Sequence, residues 1–415
     1  METLKTINFI IAVIFFVCYT YQFLYIPVPW LRKEKPHGPA KANRYAVLIC
    51  ARNEQRVIGD LIASLRGQTY DQSVLADNCT DDTAMVARVA GAHVYERFNQ
   101  VRVGKGYALQ ELLEHLEQDY PRGFDGYFVF DADNILAPNY VEAMNRTFSD
   151  GHEIVTSFRN SKNYGDNWIS AGYALWFLRE SRYLNHARFL LGTSCAVSGT
   201  GFLFSRQVLE ETGPWPFHLL TEDIQFSVDQ VTRGRKIAFC PDAVLYDEQP
   251  TTFRQSWNQR LRWSKGYLQV FRGYGAKLLR GAAGGSFSCY DMAAAIMPAF
   301  VLSAVAIVCN VTAAVLGAIR GADLTIALWS VGQMLLNMYL TLFILGAITT
   351  VTEWRRIHTK AVKKVIYAFT FPRFMFTYIP ISFAAFFCKG EWKPIEHRVS
   401  AASLRGRGRE ELLPF

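Results

Sequence analysis

The chain lacks the motifs that mark several common protein classes. Its 8 cysteines show no C-x-x-C spacing, so we expect free thiols in a reducing compartment and no zinc site. Lys105 stands in a Val-Gly-Lys-Gly stretch without P-loop spacing, which argues against an ATPase. Charge is also scarce, because 19% of the 415 residues are charged and 50% are hydrophobic. This composition lies between those of a soluble enzyme and a pure membrane protein.

The positive charge that is present lies beside hydrophobic segments. The formal net charge is +8, and basic residues cluster at 32–35, 355–364 and 405–409. A basic stripe can bind nucleic acid, but basic residues next to apolar spans more often set membrane orientation and contact anionic lipid. We therefore expect membrane lipid as a partner and no nucleic acid.

Several apolar segments are long enough to cross a hydrocarbon core of about 30 Å. Residues 7–30 carry no charge, are too long for a signal peptide and precede no small-residue cleavage site. We predict further transmembrane helices at 290–319 and 324–352. The apolar segment 365–388 is interrupted by two prolines and an arginine, so a kinked span and a re-entrant segment both remain open. A basic tail, 389–415, follows it.

Short apolar runs alternate with helical patterns over residues 45–250. Residues 45–50 and 126–131 are typical of buried strands, while 56–65 and 138–148 have helical periodicity. This alternation predicts an α/β fold with a mainly parallel, helix-covered sheet. In such sheets a ligand binds at the carboxyl ends of the strands.

Asp131 and Asp133 follow the second predicted strand in the order Asp-Ala-Asp. Carboxylates at this spacing can approach one Mg²⁺ or Mn²⁺ ion whose shell is completed by phosphate oxygens and water. Such a metal neutralises charge that develops on a diphosphate leaving group. A solvated turn is the alternative, because Asp-x-Asp is common, although the apolar strand before it disfavours a surface position.

A second acidic pair, Glu222 and Asp223, follows Thr221 at the predicted start of a helix. Thr221 is a suitable N-cap, and acids in a first turn are often only partners of the helix dipole. The functional interpretation makes Asp223 a general base that takes a proton from an acceptor hydroxyl. The helix dipole lowers its pKa and burial near carboxylates raises it, and the sequence leaves that balance open.

Residues 251–289 interleave aromatic and basic side chains at helical spacing. Ordinary core packing is compatible with this pattern, but its place before a predicted span favours interfacial amphipathic helices. Gln259 and Arg262 lie three residues apart on one face and can both reach a phosphate. Trp263 offers a flat apolar surface suited to a sugar ring.

These motifs, in this order and beside predicted spans, resemble the membrane-integrated, processive members of glycosyltransferase family 2. Cellulose, chitin, hyaluronan and poly-N-acetylglucosamine synthases belong to that group. The likeness covers roughly residues 46–266 and the layout of the spans. It implies a GT-A, Rossmann-like cytosolic domain with flanking transmembrane and interfacial helices, a UDP-sugar donor and Mg²⁺ or Mn²⁺ as cofactor. The basic cluster after residue 30 agrees with a cytosolic catalytic domain of an integral protein of the cell membrane.

The resemblance also assigns roles to individual residues. The uridine pocket and the diphosphate would be bound by Ala51, Asn53, Glu54, Asp77, Lys105, Asp131, Gln259 and Arg262. The metal would be held by Asp131 and Asp133, and catalysis carried by Asp223 with Glu222. The acceptor side would be formed by Ser198, Gly199, Thr200 and Trp263. The chain departs from the family pattern at Asn78, where a second acid often follows Asp77, and it has no gating-loop signature after Trp263.

The sequence therefore predicts an inverting, metal-dependent transferase that extends a β-linked polysaccharide. Two alternatives remain. One is transfer of a single sugar to a lipid, as ceramide glucosyltransferases perform with a similar Arg-x-x-Arg-Trp-like element. The other is a catalytically inactive nucleotide-binding partner subunit, against which the intact acids argue. The acceptor is thus a saccharide or a lipid, and an accessory secretion subunit is left open. A transporter is disfavoured by the few predicted spans.

Overall fold

The computed structural model describes residues 2–66, 71–296, 325–388 and 397–400, with isolated positions between 305 and 319 and Leu404. In this part of the chain the strands are β1 (Tyr45–Ala51), β2 (Asp71–Asp77), β3 (His93–Arg97), β4 (Gly126–Asp131), β5 (Ile135–Leu136), β6 (Ile154–Ser161), β7 (Phe202–Ser205) and β8 (Ile237–Asp247). They form an eight-stranded sheet in the order β3-β2-β1-β4-β7-β6-β8-β5.

The helices surround the sheet or extend from it. The first group is α1 (Glu2–Tyr19), α2 (Tyr21–Tyr25), α3 (Val28–Leu31), α4 (Ile58–Leu65), α5 (Thr83–Val89), α6 (Lys105–Asp119), α7 (Tyr140–Ser149), α8 (Trp168–Arg179) and α9 (His186–Leu190). The second is α10 (Arg206–Thr212), α11 (Glu222–Thr232), α12 (Phe253–Ala283), α13 (Phe287–Ile296), α14 (Thr325–Thr352), α15 (Ala361–Phe376) and α16 (Tyr378–Phe387). A π-helical segment, Glu180–Asn185, joins α8 to α9.

The sheet is mixed, although its site-bearing half is parallel as predicted. β1 pairs in parallel with β2 and β4, and β2 pairs in parallel with β3. β7 lies antiparallel between β4 and β6, and β5 is antiparallel to β8. The parallel register places Cys50 beside Asp131 and Ala51 beside Ala76. The carboxyl ends of β1, β2 and β4 therefore meet at one edge of the sheet.

Apolar strands are buried on both faces, which is why they appear in the sequence as continuous hydrophobic runs. Along β1, Ala46 and Leu48 face one apolar cluster, which also contains α6 and α8 side chains. Tyr45, Val47 and Ile49 face a second cluster with residues of α4 and α7. The alternation follows the two-residue period of a strand and fixes the sheet between helical layers.

Two helical stretches have the length and composition of membrane spans, Phe9–Leu31 and Val331–Thr352. Their side chains are mostly exposed, and Phe9 is 68% accessible. The predicted span at 7–30 is built from α1, α2 and α3. Part of the predicted span at 290–319 and most of the tail at 389–415 lie outside the described residues.

The segment predicted at 365–388 is two helices, α15 and α16, with a break at Thr377. Arg260 of α12 is fully buried at this break, where Nη1 donates to Phe374 O (3.2 Å) and Thr377 Oγ1 (2.7 Å). Its guanidinium also lies 4.5 Å from the Phe374 ring centroid. Arg260 thereby anchors the helix that carries Gln259, Arg262 and Trp263 to the C-terminal apolar helices.

Candidate active site

Asp131 ends β4 at the carboxyl edge of the sheet, where the parallel strands bring their polar ends together. Its carboxylate forms an ion pair with Lys105, the first residue of α6. Lys105 Nζ also donates to Gly199 O at 2.7 Å, and the Asp131 amide donates to Thr200 Oγ1 at 2.9 Å. Although burial lowers the pKa of Lys105, the carboxylates of Asp131 and Glu222 raise it above its usual value. Lys105 is therefore a fixed cation in the centre of the site.

Asp133 is almost fully buried beside Asp131. Its Oδ2 accepts from the Glu248 amide at 2.7 Å, and its carbonyl accepts from Lys162 Nζ at 2.6 Å. Burial raises the pKa of Asp133, but the nearby charges of His397 and Lys162 outweigh it and hold the pKa below its usual value. The side chain is thus an anion held in one orientation.

Glu222 and Asp223 form the first turn of α11, as the sequence predicts. Burial, followed by repulsion from Asp223, raises the pKa of Glu222 to about 7. Burial also raises the pKa of Asp223, against the opposing effects of the Ile224 amide and Lys105. Thr221 precedes the helix, but its buried hydroxyl makes no cap hydrogen bond among the described residues, so the expected side-chain cap is wrong. The reason is a close approach of α12, since a Cβ on Gly266 would fall 2.5 Å from Thr221 Oγ1.

Gly199 shows directly that the two acidic pairs converge. Its φ is +81°, a conformation that favours glycine. A Cβ at this position would lie 3.8 Å from Asp223 Oδ2 and 4.0 Å from Asp131 Oδ2. The carboxylates of Asp131 and Asp223 therefore flank a single point, although they are far apart in sequence.

Helix α12 forms the opposite wall. Gln259, Arg262 and Trp263 all face the cavity. The Gln259 Oε1 atom is buried without a hydrogen-bond partner among the described residues. Because buried polar atoms normally form hydrogen bonds, this oxygen is available to a ligand that binds in the cavity. Trp263 packs edge-on against Tyr173 and Phe177, with centroids 5.7 and 6.2 Å away, and is held in place by them.

The ends of β1 and β2 form the other side of the site. Asp77 is ion-paired with buried Arg97, with Nη1 to Oδ1 at 2.7 Å. Burial raises the pKa of Asp77, and Arg97 opposes that shift. Asn53 adopts a positive φ of 58° and bonds Thr80 across the loop, with Nδ2 to Oγ1 at 3.2 Å.

A single cavity of about 790 Å³ connects these groups. The predicted site residues that line it are Ala51, Glu54, Asp77, Lys105, Asp131, Asp133, Ser198, Gly199, Glu222, Asp223, Gln259, Arg262 and Trp263. Two predicted residues are not among its lining. Asn53 is exposed on its loop, and Thr200 is buried behind Asp131.

Charged residues that no sequence motif indicated also line the cavity, among them Arg159, Arg179, Glu180 and His397. Arg159 is paired with Asp247 and donates to Ser198 O at 2.8 Å. Glu180 begins the π-helical segment, a kind of irregularity that is frequent at functional sites. Arg159 and Glu180 lie on elements whose sequences are those of ordinary core strands and helices, so only the fold shows that they face the cavity.

His397 reaches the site from the C-terminal tail. Its Nδ1 lies 2.8 and 3.0 Å from the two carboxylate oxygens of Glu54. Two residues further on, the carbonyl oxygen of Val399 accepts a hydrogen bond from Lys162 Nζ at 3.0 Å. Lys162 Nζ also donates to the carbonyl oxygen of Asp133. Burial lowers the pKa of His397, but Asp133 and Glu54 outweigh it and raise the pKa to about 10. The tail therefore supplies a cation to a site rich in carboxylates.

The fold and the site define a class of protein, an α/β enzyme with converging carboxylates at the carboxyl edge of its sheet. A family model described as "Glycosyltransferase like family 2" matches residues 42–266, more than half of the chain. The chain belongs to this family and carries its glycosyltransferase domain. The predicted family and enzyme class are confirmed.

Curated relatives match over the same region. The beta-monoglucosyldiacylglycerol synthase of Synechocystis sp. is 23% identical over 243 residues, 55% of this chain and 48% of the relative. The poly-beta-1,6-N-acetyl-D-glucosamine synthase of Staphylococcus aureus is 25% identical over 233 residues, 54% of each. The chain spans about half the length of the curated relatives it matches.

One solved structure is similar over nearly the whole chain. It is the mannosyltransferase PcManGT from Pyrobaculum calidifontis in complex with GDP-Man and Mn²⁺. The TM-score is 0.57 at 17% identity, with 92% of this chain and 98% of that chain covered. At this identity the likeness shows the fold, and the predicted GT-A class is confirmed.

We expect His397→Ala to weaken binding of a nucleotide diphosphate by about tenfold, because Glu54 is left as an uncompensated negative charge in the site. Titration calorimetry with UDP and Mn²⁺ measures the change. Glu54→Gln in the same variant removes that charge and is expected to recover most of the affinity. Equal affinities in all three proteins would contradict an effect of His397 on nucleotide binding through Glu54.

Proposed function

We propose that this protein transfers a sugar, with inversion, from a UDP-sugar to an acceptor hydroxyl. The observation that carries the proposal is the position of Asp131 and Asp223 on either side of Gly199, in one cavity with Lys105 and Arg262. The acceptor oxygen attacks the anomeric carbon, its proton passes to Asp223, and the bond to the diphosphate breaks so that UDP leaves. Lys105 and Arg262 are placed to stabilise the charge on the departing diphosphate.

The residues also fit a divalent cation, and Mn²⁺ in the similar mannosyltransferase structure supports one. Asp131 and Asp133 both face the cavity, and the Asp131 side chain is 37% exposed. Among the described residues no three histidine, cysteine or acidic side chains gather as a metal cage. Mg²⁺ and Mn²⁺ suit such a site, since one or two carboxylates, phosphate oxygens and water complete their shells. The ion would neutralise charge on the leaving diphosphate.

The acid limb of the pH–rate profile should report the Glu222–Asp223 pair. A carboxyl whose pKa is raised keeps its proton at higher pH, and the base must be ionised to accept one. Because burial raises the pKa of Asp223, and burial and repulsion raise that of Glu222 to about 7, we expect kcat/KM to rise with pH and to level off only above neutrality. Glu222→Gln removes the mutual repulsion and should move the limb to lower pH. A profile that is flat from pH 5 to 8 would contradict the proposed base.

The wall of the cavity favours a lipid acceptor over a soluble one. Beyond the polar site the cavity continues between Phe15 and Phe23 of the N-terminal helices and Leu342 and Leu345 of α14. These are the two helical stretches with the length and composition of membrane spans. An acyl chain fits an apolar passage that opens between such helices. The Synechocystis relative, by its name a synthase of a glucosyldiacylglycerol, agrees with this acceptor class.

A growing β-linked polysaccharide is the second candidate acceptor, with an accessory secretion subunit as a further partner. The name of the Staphylococcus aureus relative supports it. Trp263, fixed at the cavity wall by Tyr173 and Phe177, gives a sugar ring an apolar platform. In both cases we propose an integral membrane protein whose transferase domain faces the cytosol.

Product size distinguishes the two acceptors. The purified full chain in lipid vesicles would be given radiolabelled UDP-sugars with Mn²⁺ or Mg²⁺, and the products separated by solvent extraction and gel filtration. A single extractable glycolipid is the expected result. A ladder of water-soluble oligosaccharides would support the polysaccharide instead and overturn the lipid acceptor.

A further inference from the structure

Arg179 is a cation buried in the cavity wall. It is the last residue of α8, is 9% exposed and lines the cavity. Its Nη2 donates to Gln22 Oε1 at 3.2 Å, and its guanidinium lies 5.3 Å from the Trp176 ring centroid. Among the described residues it forms no ion pair, although the nearby Glu180 carboxylate acts on it through space.

Two other arginines that line the cavity, Arg188 and the partly buried Arg159, are paired with carboxylates. Arg188 binds Asp291 through Nε at 2.7 Å and Nη2 at 2.8 Å, and Arg159 binds Asp247. A charge removed from water is costly unless an opposite charge compensates it. Burial accordingly lowers the pKa of Arg179 to about 10, whereas the paired Arg159 is raised. Unlike these two arginines, Arg179 has no bonded carboxylate, so its charge is available to an anionic ligand.

The position of Arg179 indicates which ligand. Gln22, its hydrogen-bond partner, lies on α2 beside the passage that Phe15, Phe23 and Leu342 line. The residue after it, Glu180, lines the polar part of the cavity. Arg179 therefore lies where the polar site meets the apolar passage, the place of a lipid headgroup whose chains occupy the passage. A guanidinium there matches a phosphate, which it binds through two parallel hydrogen bonds.

We propose that Arg179 binds the phosphate of an anionic phospholipid acceptor and so selects phosphate-bearing lipids over neutral ones. This inference rests on the proposed function, because the same cavity holds the donor. The phosphate is bound at Arg179, the acyl chains lie between the N-terminal helices and α14, and a headgroup hydroxyl extends towards Asp223. Arg179 acts on acceptor affinity and takes no part in proton transfer.

The test compares two acceptors with the same acyl chains, phosphatidylglycerol and diacylglycerol, in neutral detergent micelles. For the wild type we expect a lower KM with phosphatidylglycerol. Arg179→Gln should raise that KM by about 10- to 100-fold, the usual effect of losing a charge-assisted hydrogen bond. The KM for diacylglycerol and the affinity for UDP should stay within about twofold. Arg179→Lys keeps the charge but loses the planar fork. Its KM for phosphatidylglycerol should lie between those of the wild type and Arg179→Gln.

Arg146→Gln is the matched control, since this exposed arginine of α7 is not part of the cavity and its loss also removes one positive charge. Thermal denaturation and UDP binding show whether each variant is folded. If Arg179→Gln raises the KM equally for both lipids, or leaves both KM values unchanged, the phosphate site is overturned while transfer itself persists. If the wild type transfers sugar to neither lipid yet forms oligosaccharides, the lipid acceptor fails and the inference falls with it.

Discussion

Replacing Asp223 by asparagine is expected to lower the rate of sugar transfer by about 10²–10⁴-fold, the usual contribution of a positioned base. The asparagine side chain has nearly the same shape but cannot take the acceptor proton. Asp223 lies beside Gly199, across from Asp131, and the proposed mechanism brings the acceptor oxygen to this point. UDP affinity should change little, because the base contacts the acceptor. Initial rates of UDP release and calorimetric binding of UDP separate the two effects.

Asp229→Asn provides a matched control on the same helix. Asp229 is buried and bonds Arg233 Nε at 2.7 Å, and it does not line the cavity. Its loss is expected to lower stability while the turnover of folded protein stays near that of the wild type. Near-normal turnover in Asp223→Asn would refute the base assignment, and Glu222→Asn would then be the next variant to measure.

The second large effect is expected at the metal motif. Asp131→Asn should lower transfer by about 10³-fold, because stabilisation of the leaving diphosphate by the ion is worth several kcal/mol. It also removes the carboxylate partner of Lys105. Chelation of the wild type with EDTA should abolish UDP release, and added Mn²⁺ or Mg²⁺ should restore it. Electron paramagnetic resonance of Mn²⁺ with UDP should show weaker binding in the variant.

Asp242→Asn is the control for this change. It replaces an exposed carboxylate of β8 that does not line the cavity, so metal binding and transfer should match the wild type. Full activity of the wild type in EDTA would refute the metal, whatever the variants show. Activity that survives chelation but is lost in Asp131→Asn would assign Asp131 to holding Lys105 instead.

The parts of the site that the sequence predicts are those carried by local patterns. The apolar run before Asp131 predicts a buried strand that ends on an acid, and β4 ends on that residue. Glu222 and Asp223 begin a helix as predicted, and Gln259, Arg262 and Trp263 share one helix, α12. Parallel strands bring their carboxyl ends to one edge, so the meeting of Ala51, Asp77 and Asp131 follows from the predicted α/β fold.

The remaining parts depend on contacts between distant segments. His397 and Glu54 form a hydrogen bond although they lie 343 residues apart in sequence, and no pattern around either residue indicates the pair. Arg179 is a basic residue at the end of an apolar helix, which is an ordinary sequence pattern. Only the three-dimensional structure shows that it lines the cavity and forms no ion pair among the described residues. The expected hydroxyl cap at Thr221 fails because α12 packs against it through Gly266, a close approach between two helices that local sequence does not encode.

In the proposed complex, two acidic pairs, Lys105 and Arg262 surround one nucleotide sugar. The most direct measurement is nucleotide release by the purified full chain with Mn²⁺, from a panel of UDP-sugars together with GDP-mannose. We predict release from at least one UDP-sugar, dependent on metal and absent in Asp223→Asn. Folded protein that binds UDP but turns over none of the donors, in the presence of both lipid and saccharide acceptors, would contradict the account.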